Sequence, residues 1–234
     1  MKVLILAAGQ GNRLEHLTDE FPKALTKVCG RELIRYQLDF LNHPAITQIG
    51  VVCGYQGFHL ADFLKKCRPE IVQMDNPDFL MGSILTLQKG ISFLDDDFLL
   101  MNVDHIYPPK MLDLILKQVG GITAICDFDR KLVADDMKVK LGKDRLLKQI
   151  HKGLNDFDGG YIGMTFCPKN KIAIYLNALE TTLAAQGPKA SVEMILGELA
   201  AKGEPISIAD TSGNTWLEVD TLDDLQKAEE ALRS

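Results

Sequence analysis

The sequence predicts an α/β fold: a mostly parallel central sheet with helices on both faces and a small β excursion late in the chain. Three features lead there. Short apolar runs alternate with helical patterns, the first run has no polar face, and a glycine loop follows that run directly. The 234 residues suit one α/β domain spanning 1–234, with the excursion at about 128–157. A chain of this length buries roughly 70% of its unfolded surface, so it needs no covalent staple.

Residues 2–7 open the chain as a buried strand, Val3-Leu4-Ile5-Leu6-Ala7. The run breaks into Ala8-Gly9-Gln10-Gly11-Asn12-Arg13, where glycines allow positive φ and bring amide groups close to a ligand. A loop at the carboxyl end of a first strand is where open α/β sheets bind nucleotides. Arg13 and Lys23 follow, the latter after Pro22. Backbone donors, a forked guanidinium and a mobile ammonium are the parts of a polyphosphate cradle. A dehydrogenase loop would have a third glycine and an immediate helix, whereas position 14 is Leu and a mixed loop runs on to Pro22.

Residues 31–42 (RELIRYQLDFLN) carry apolar side chains at 33, 34, 38 and 41, one helical stripe. Residues 46–54 read as a second strand, 57–66 as a short helix and 70–74 as a third strand. A loop at 75–83 is marked by Asn76-Pro77 and Gly82, and Ser83 is placed to cap a helix over 84–94. Gly82 and Ser83 at that helix start make a site for an anion or a base edge. Residues 98–103 form another buried strand ending at Asp104, where a carboxylate faces the ligand side and suits Mg²⁺ bound to phosphates. A helix over 108–119 and a strand over 121–127 follow.

Residues 137–141 and 145–151 read as a two-stranded ribbon. Strict alternation puts Met137, Val139 and Leu141 on one face, and Lys138 and Lys140 on the other, toward solvent or an anionic acceptor. Residues 158–166 return to the sheet through Gly159-Gly160, which permits close backbone approach. Helices over 169–185 and 191–202 flank Gly187-Pro188, and Glu193 falls in the first turn of the second, complementing its dipole. Thr221 and Asp224 form a capping box for a last helix over 223–232, which leaves Asp220 free for other work.

The net charge of −6 argues against nucleic acid as a partner. No apolar stretch approaches the roughly 18 residues of a membrane span. The Val3–Ala8 run is too short for a secretory signal. Five scattered cysteines without a Cys-x-x-Cys pair read as reduced thiols of a cytoplasmic protein.

Leu6-Ala7-Ala8-Gly9-x-Gly11-x-Arg13-Leu14, followed by Pro22-Lys23-Ala24-Leu25, resembles the sugar-phosphate nucleotidyltransferase family. Asn-Pro-x-Phe before Ser83, Asp104 at a strand end and Trp216-x-x-Val219-Asp220-Thr221 continue the resemblance to about residue 232. It implies a Rossmann-like, nucleotide-diphospho-sugar transferase-like fold and a reaction joining a nucleoside triphosphate to a phosphorylated alcohol or sugar, with loss of pyrophosphate. It further implies Leu6, Ala7, Ala8, Gly9, Gly11, Gly82 and Ser83 as nucleotide contacts, and Arg13 and Lys23 as catalytic cations. Lys138, Gly160 and Tyr161 would be acceptor contacts. Asp104 and Asp220, joined by Glu218 on the same side of its strand, would be Mg²⁺ ligands.

Leu-Ala-Ala-Gly, the stretch Met101-x-Val103-Asp104-His105-Ile106-Tyr107 and the closing motif most resemble CTP-using phospho-alcohol cytidylyltransferases, of inositol-1-phosphate, phosphocholine or aminoethylphosphonate type. UTP- or dTTP-using sugar-1-phosphate enzymes and a non-catalytic nucleotide sensor are the alternatives, and a homodimer is left open.

Overall fold

A computed structural model describes residues 1–233. Strand β1 (Lys2–Ala7) is followed by 3₁₀ turns at Asn12–Thr18 and Lys23–Leu25 and by a two-residue pair, β2 (Lys27–Val28) and β3 (Arg31–Glu32). Then come α1 (Leu33–Phe40), β4 (Gln48–Cys53), α2 (Gly57–Cys67), β5 (Val72–Asp75), α3 (Ser83–Lys89) and β6 (Phe98–Asn102). A second short pair begins at β7 (His105–Ile106), ahead of α4 (Lys110–Leu116) and β8 (Thr123–Asp127). The excursion forms β9 (Lys138–Leu141) and β10 (Leu147–His151), and β11 (Gly159–Cys167) re-enters the sheet. The chain closes with α5 (Ile172–Gln186), α6 (Glu193–Ala201), β12 (Ser207–Asp210), β13 (Leu217–Glu218) and α7 (Leu222–Arg233).

Among the described residues one nine-stranded sheet carries the path β10-β9-β11-β6-β1-β4-β5, with β8 on β11 and β12 on β8. β1 lies between β4 and β6 and is parallel to both, which puts the glycine loop at the centre of the carboxyl edge. β11 runs antiparallel to β6, β8 and β9, so the excursion extends the same sheet.

The unbroken apolar character of β1 has a direct cause. Val3, Ile5 and Ala7 face one core, with Ile34 and Leu38 of α1, Leu60 and Leu64 of α2 and Met111 of α4. Leu4 and Leu6 face the other, with Ile84 and Leu87 of α3, Tyr175 and Leu179 of α5 and Ile195 of α6. Successive side chains alternate between two buried faces, so every position from Val3 to Ala7 is apolar. A third cluster, Leu14, Val28, Leu33, Ile106, Val219 and Ala228, seats α7 beneath the glycine loop.

Most elements occupy the segments the sequence marks, shortened at their ends. The expected helix over 84–94 is α3, which ends at Lys89 before a 3₁₀ turn at Ile91–Phe93. Ser83 does not cap α3. Gly82 takes the N-cap position without a side-chain bond, and Ser83 Oγ accepts the Val192 amide at 3.0 Å. Gly159-Gly160 opens β11, the expected return to the sheet. Strand β12 is absent from the sequence reading, and it lies parallel to β8.

Gly82 joins the two halves of the ligand face. Its amide donates to Pro188 O at 2.8 Å, and a Cβ there would stand 2.0 Å from Ala190 O, so the backbone would have to move. We expect Gly82→Ala to lower the unfolding free energy by about 1–3 kcal/mol in urea melts. Unchanged stability would contradict this contact.

Candidate active site

Asp104 and Asp220 lie far apart in sequence, and a backbone device joins them. β7 and β13 pair antiparallel, with Glu218 opposite His105 and Leu217 opposite Ile106. The Val219 amide donates to Asp104 O at 2.9 Å. The two carboxylates therefore emerge from neighbouring backbones at the carboxyl edge of the sheet.

Between them sits Lys23. It follows Pro22 in the 3₁₀ turn, and it is 7% exposed. Its Nζ donates to Asp104 Oδ2 at 2.8 Å and also to Asp220 Oδ1. Burial works against the ammonium charge, but the two carboxylates outweigh it and hold the Lys23 pKa above its ordinary value. Burial likewise opposes the Asp104 charge, and Lys23 and His105 overcome it, holding that carboxyl well below the usual range. Gly11 is required beside this lysine. It adopts φ of +75°, and a Cβ there would lie 2.9 Å from Lys23 Cβ. Arg13, half exposed, bridges Asp220 and Asp135.

His105 completes the group from behind. Its ring is stacked between Tyr107 and Trp216, with centroids 5.6 and 5.3 Å away, and its Nδ1 lies 2.7 Å from Asp104 Oδ1. Its Nε2 is 3.9 Å from Glu218 Oε1. Burial disfavours the imidazolium, but Asp104 and Glu218 outweigh it and raise the His105 pKa. Burial raises the Glu218 pKa.

Two sets of groups bear on a metal. Ligand atoms of Asp104, His105 and Glu218 lie within 4.8 Å of one another. The His105 ring is 4% exposed and committed to Asp104, so it orients that carboxylate. Asp104 and Asp220 instead converge on one point, the Lys23 ammonium, and they offer oxygen ligands of the kind a hard cation takes. The donor chemistry fits Mg²⁺ there.

Two adjoining clefts meet at this cluster and share Arg13, Asn102, Asp104 and Asp220. The larger, about 510 Å³, is lined by Leu6, Ala8, Gly9, Gly11, Lys23 and Ser83, among others. It contains most of the nucleotide contacts expected from sequence; Ala7 and Gly82 adjoin it without lining it. The second, about 240 Å³, is lined by Tyr161, Met137, Leu132, Trp216, Glu193 and Glu218, among others.

Two expected acceptor contacts are not there. Lys138 is buried, and its Nζ donates to the carbonyls of Ala134, Asp136 and Lys152 at 3.1, 3.2 and 2.8 Å. It holds the excursion together. Gly160 lies under Leu132, whose Cδ2 would be 2.7 Å from an added Cβ, so glycine is needed there for packing. Tyr161 does line the cleft, with its hydroxyl turned 2.9 Å from Thr165 Oγ1.

The sequence reading gave no site role to Asn102, Thr86, Asp135 or Lys152, and for Glu193 it offered the helix dipole as the plain reading and left its role open. Asn102 alone carried a signal, since it is the last residue of the buried strand that leads to Asp104.

The glycine loop, Arg13 and Lys23 thus face two converging carboxylates where the two clefts meet. Residues 3–161 match the model of the MobA-like NTP transferase domain, and the chain belongs to that family. It is 31% identical to a bifunctional IPC transferase and DIPP synthase of Aquifex aeolicus, over 98% of this chain and 51% of that protein. It is 25% identical to a CMP-5'-(3-aminopropyl)phosphonate synthase of Streptomyces rubellomurinus, over 98% of this chain and 38% of that protein. The chain thus spans about half or less of the length of these curated relatives. The fold is similar to that of the inositol-1-phosphate CTP transferase from T. maritima, with a TM-score of 0.84 at 18% identity over 99% of this chain and 94% of that one.

We expect Lys138→Ala to destabilise the protein by about 2–3 kcal/mol in denaturant melts, from the lost charge-assisted bonds, with the acceptor KM little changed. A raised acceptor KM at unchanged stability would return Lys138 to the acceptor site.

Proposed function

We propose that this chain transfers the cytidylyl group of CTP to the phosphate of a small phosphorylated alcohol, releasing pyrophosphate. The observation that carries this reading is the Lys23–Asp104–Asp220 cluster standing where the two clefts meet. The names of the relatives, an IPC transferase and a CMP-phosphonate synthase, support a phospho-alcohol or phosphonate acceptor. Inositol 1-phosphate or a similar phospho-alcohol is the acceptor class in view.

An acceptor phosphate oxygen attacks the α-phosphorus of CTP, and the bond from that phosphorus to the β-phosphate bridge breaks. Repulsion between two anions opposes the approach, so the protein contributes alignment and charge neutralisation. The loop from Ala8 to Gly11 presents backbone donors to the triphosphate. Arg13, at the mouth of both clefts, exchanges its carboxylate partners for phosphate oxygens and accompanies the leaving pyrophosphate. Lys23 places its ammonium between donor and acceptor phosphates. Asp104 and Asp220, with Glu218 beside them, would hold Mg²⁺, which when bound neutralises charge on the reacting phosphates. His105 keeps Asp104 oriented. A cytoplasmic location goes with this reading and with five free cysteines.

The test is pyrophosphate release with Mg²⁺ across CTP, UTP, dTTP, ATP and GTP, each against a pool of phosphorylated acceptors. The pool holds sugar 1-phosphates, inositol 1-phosphate, phosphocholine and aminoethylphosphonate. Release with CTP and a phospho-alcohol or phosphonate is expected. Release with UTP or dTTP and a sugar 1-phosphate would keep the chemistry and replace the substrates. Silence throughout, with tight CTP binding, would point to a nucleotide sensor.

Asp104→Asn, Asp220→Asn and Lys23→Ala should each lower turnover by roughly 100- to 1000-fold, the scale for one lost preorganised charge partner. Turnover of Asp104→Asn within a few-fold of wild type would remove that residue from the mechanism.

A further inference from the structure

The second cleft contains a carboxylate that nothing in the proposed reaction uses. Glu193, the first residue of α6, is 9% exposed and lines the cleft wall. Among the described residues its side chain receives one long hydrogen bond, from the Asn102 amide at 3.4 Å, and it forms no ion pair. The helix N-terminus eases its charge only in part. A carboxylate so far out of water calls for a cation.

The cations on this cleft are already committed. Lys152 and Arg13 both bind Asp135, and Arg13 also binds Asp220. His105, the remaining basic side chain on the cleft, is turned to Asp104. The cleft lining includes Leu132, Met137 and the ring of Tyr161, whose hydroxyl is satisfied by Thr165. The Tyr161 hydroxyl thus points elsewhere, and the apolar part of the lining suits a short aliphatic chain, with Ser191, Asp135 and Asp136 on the rest of the wall. Asn102, which touches Glu193, lines this cleft together with Asp104 and Asp220. A small molecule can therefore reach from Glu193 to the reacting phosphate.

We propose that the acceptor is a zwitterion: a phosphate or phosphonate at one end, an ammonium at the other, with Glu193 taking the ammonium. Its phosphate meets Lys23 and the metal-ligand pair, and its positive end removes the unbalanced charge of Glu193. Glu193 is thus a specificity-determining residue. This rests on the cytidylyltransfer reading above, and it selects among the acceptors that reading admits.

The test pairs phosphocholine with 3,3-dimethylbutyl phosphate, its uncharged isostere, and adds aminoethylphosphonate and inositol 1-phosphate. Acceptor binding is measured by calorimetry with Mg²⁺ and α,β-methylene CTP, and pyrophosphate release is measured separately with CTP. In the wild type an ammonium-bearing acceptor should be favoured over the neutral ones by about 30-fold or more. Glu193→Gln should erase that preference through the acceptor KM rather than kcat, and Glu193→Asp, which keeps the charge, should retain most of it. Equal or better binding of the neutral compounds by wild type, or an unchanged preference in Glu193→Gln, would overturn the proposal. Turnover confined to inositol 1-phosphate would overturn it while leaving cytidylyl transfer intact. Glu193-dependent binding of an ammonium acceptor without turnover of any nucleotide would uphold the subsite and overturn the activity.

Discussion

The ion triple of Lys23, Asp104 and Asp220 depends on three stretches of chain far apart in sequence, and much of the architecture serves to bring them together. Lys23 is set by Pro22 and a single 3₁₀ turn, Asp104 by the end of β6, and Asp220 by the strand pair β7–β13. None of the three would be tolerated alone at this depth, because an isolated charge loses far more solvation than a single weak contact returns. Together with Arg13, which also pairs with Asp220, the two cations offset the two carboxylates, and the cluster holds its charges in place before substrate arrives. Charged groups already gathered at one point need only short side-chain movements to meet a phosphate, which favours electrostatic stabilisation of its reaction.

The two-faced sheet supplies the rigidity behind this cluster. β1 is covered on both sides, so the loop after Ala7 leaves a strand that cannot shift without disturbing two cores. The third cluster, under α7, pins the segment after β13 against Leu14 and Val28 and so holds Asp220 opposite the glycine loop. On the other flank, Gly82 and Ser83 bind the loop before α6, tying the nucleotide cleft to the helix that carries Glu193. The two clefts are thus built from different halves of the sheet and meet at polar residues, Arg13, Asn102, Asp104 and Asp220.

What could be read from the sequence follows from how local each signal is. The buried strand, the loop glycines, Arg13 and Lys23 lie within one short stretch, and the Thr221–Asp224 capping box forms as expected. Asp104 and Asp220 were legible because each ends a recognisable motif. Strand β12 was not, because Ser207–Asp210 is short and half polar and is made a strand by β8 beside it. Lys138 shows the limit of alternation. The pattern fixes which face a side chain takes but not whether carbonyls of a neighbouring loop will cover that face. Ser83 fails similarly, its hydroxyl drawn to Val192 across the cleft rather than to its own helix. Glu193 could not be singled out, since its isolation is a property of the folded cleft.

The most direct test of the central claim is a crystal structure with Mn²⁺ in place of Mg²⁺ and a non-hydrolysable CTP analogue, read by anomalous scattering. We expect one Mn²⁺ peak bridging Asp104 and Asp220, with the Lys23 ammonium displaced onto phosphate oxygens of the nucleotide. A metal held by His105 and Glu218 instead, or Lys23 still seated between the two carboxylates with nucleotide bound, would contradict the account.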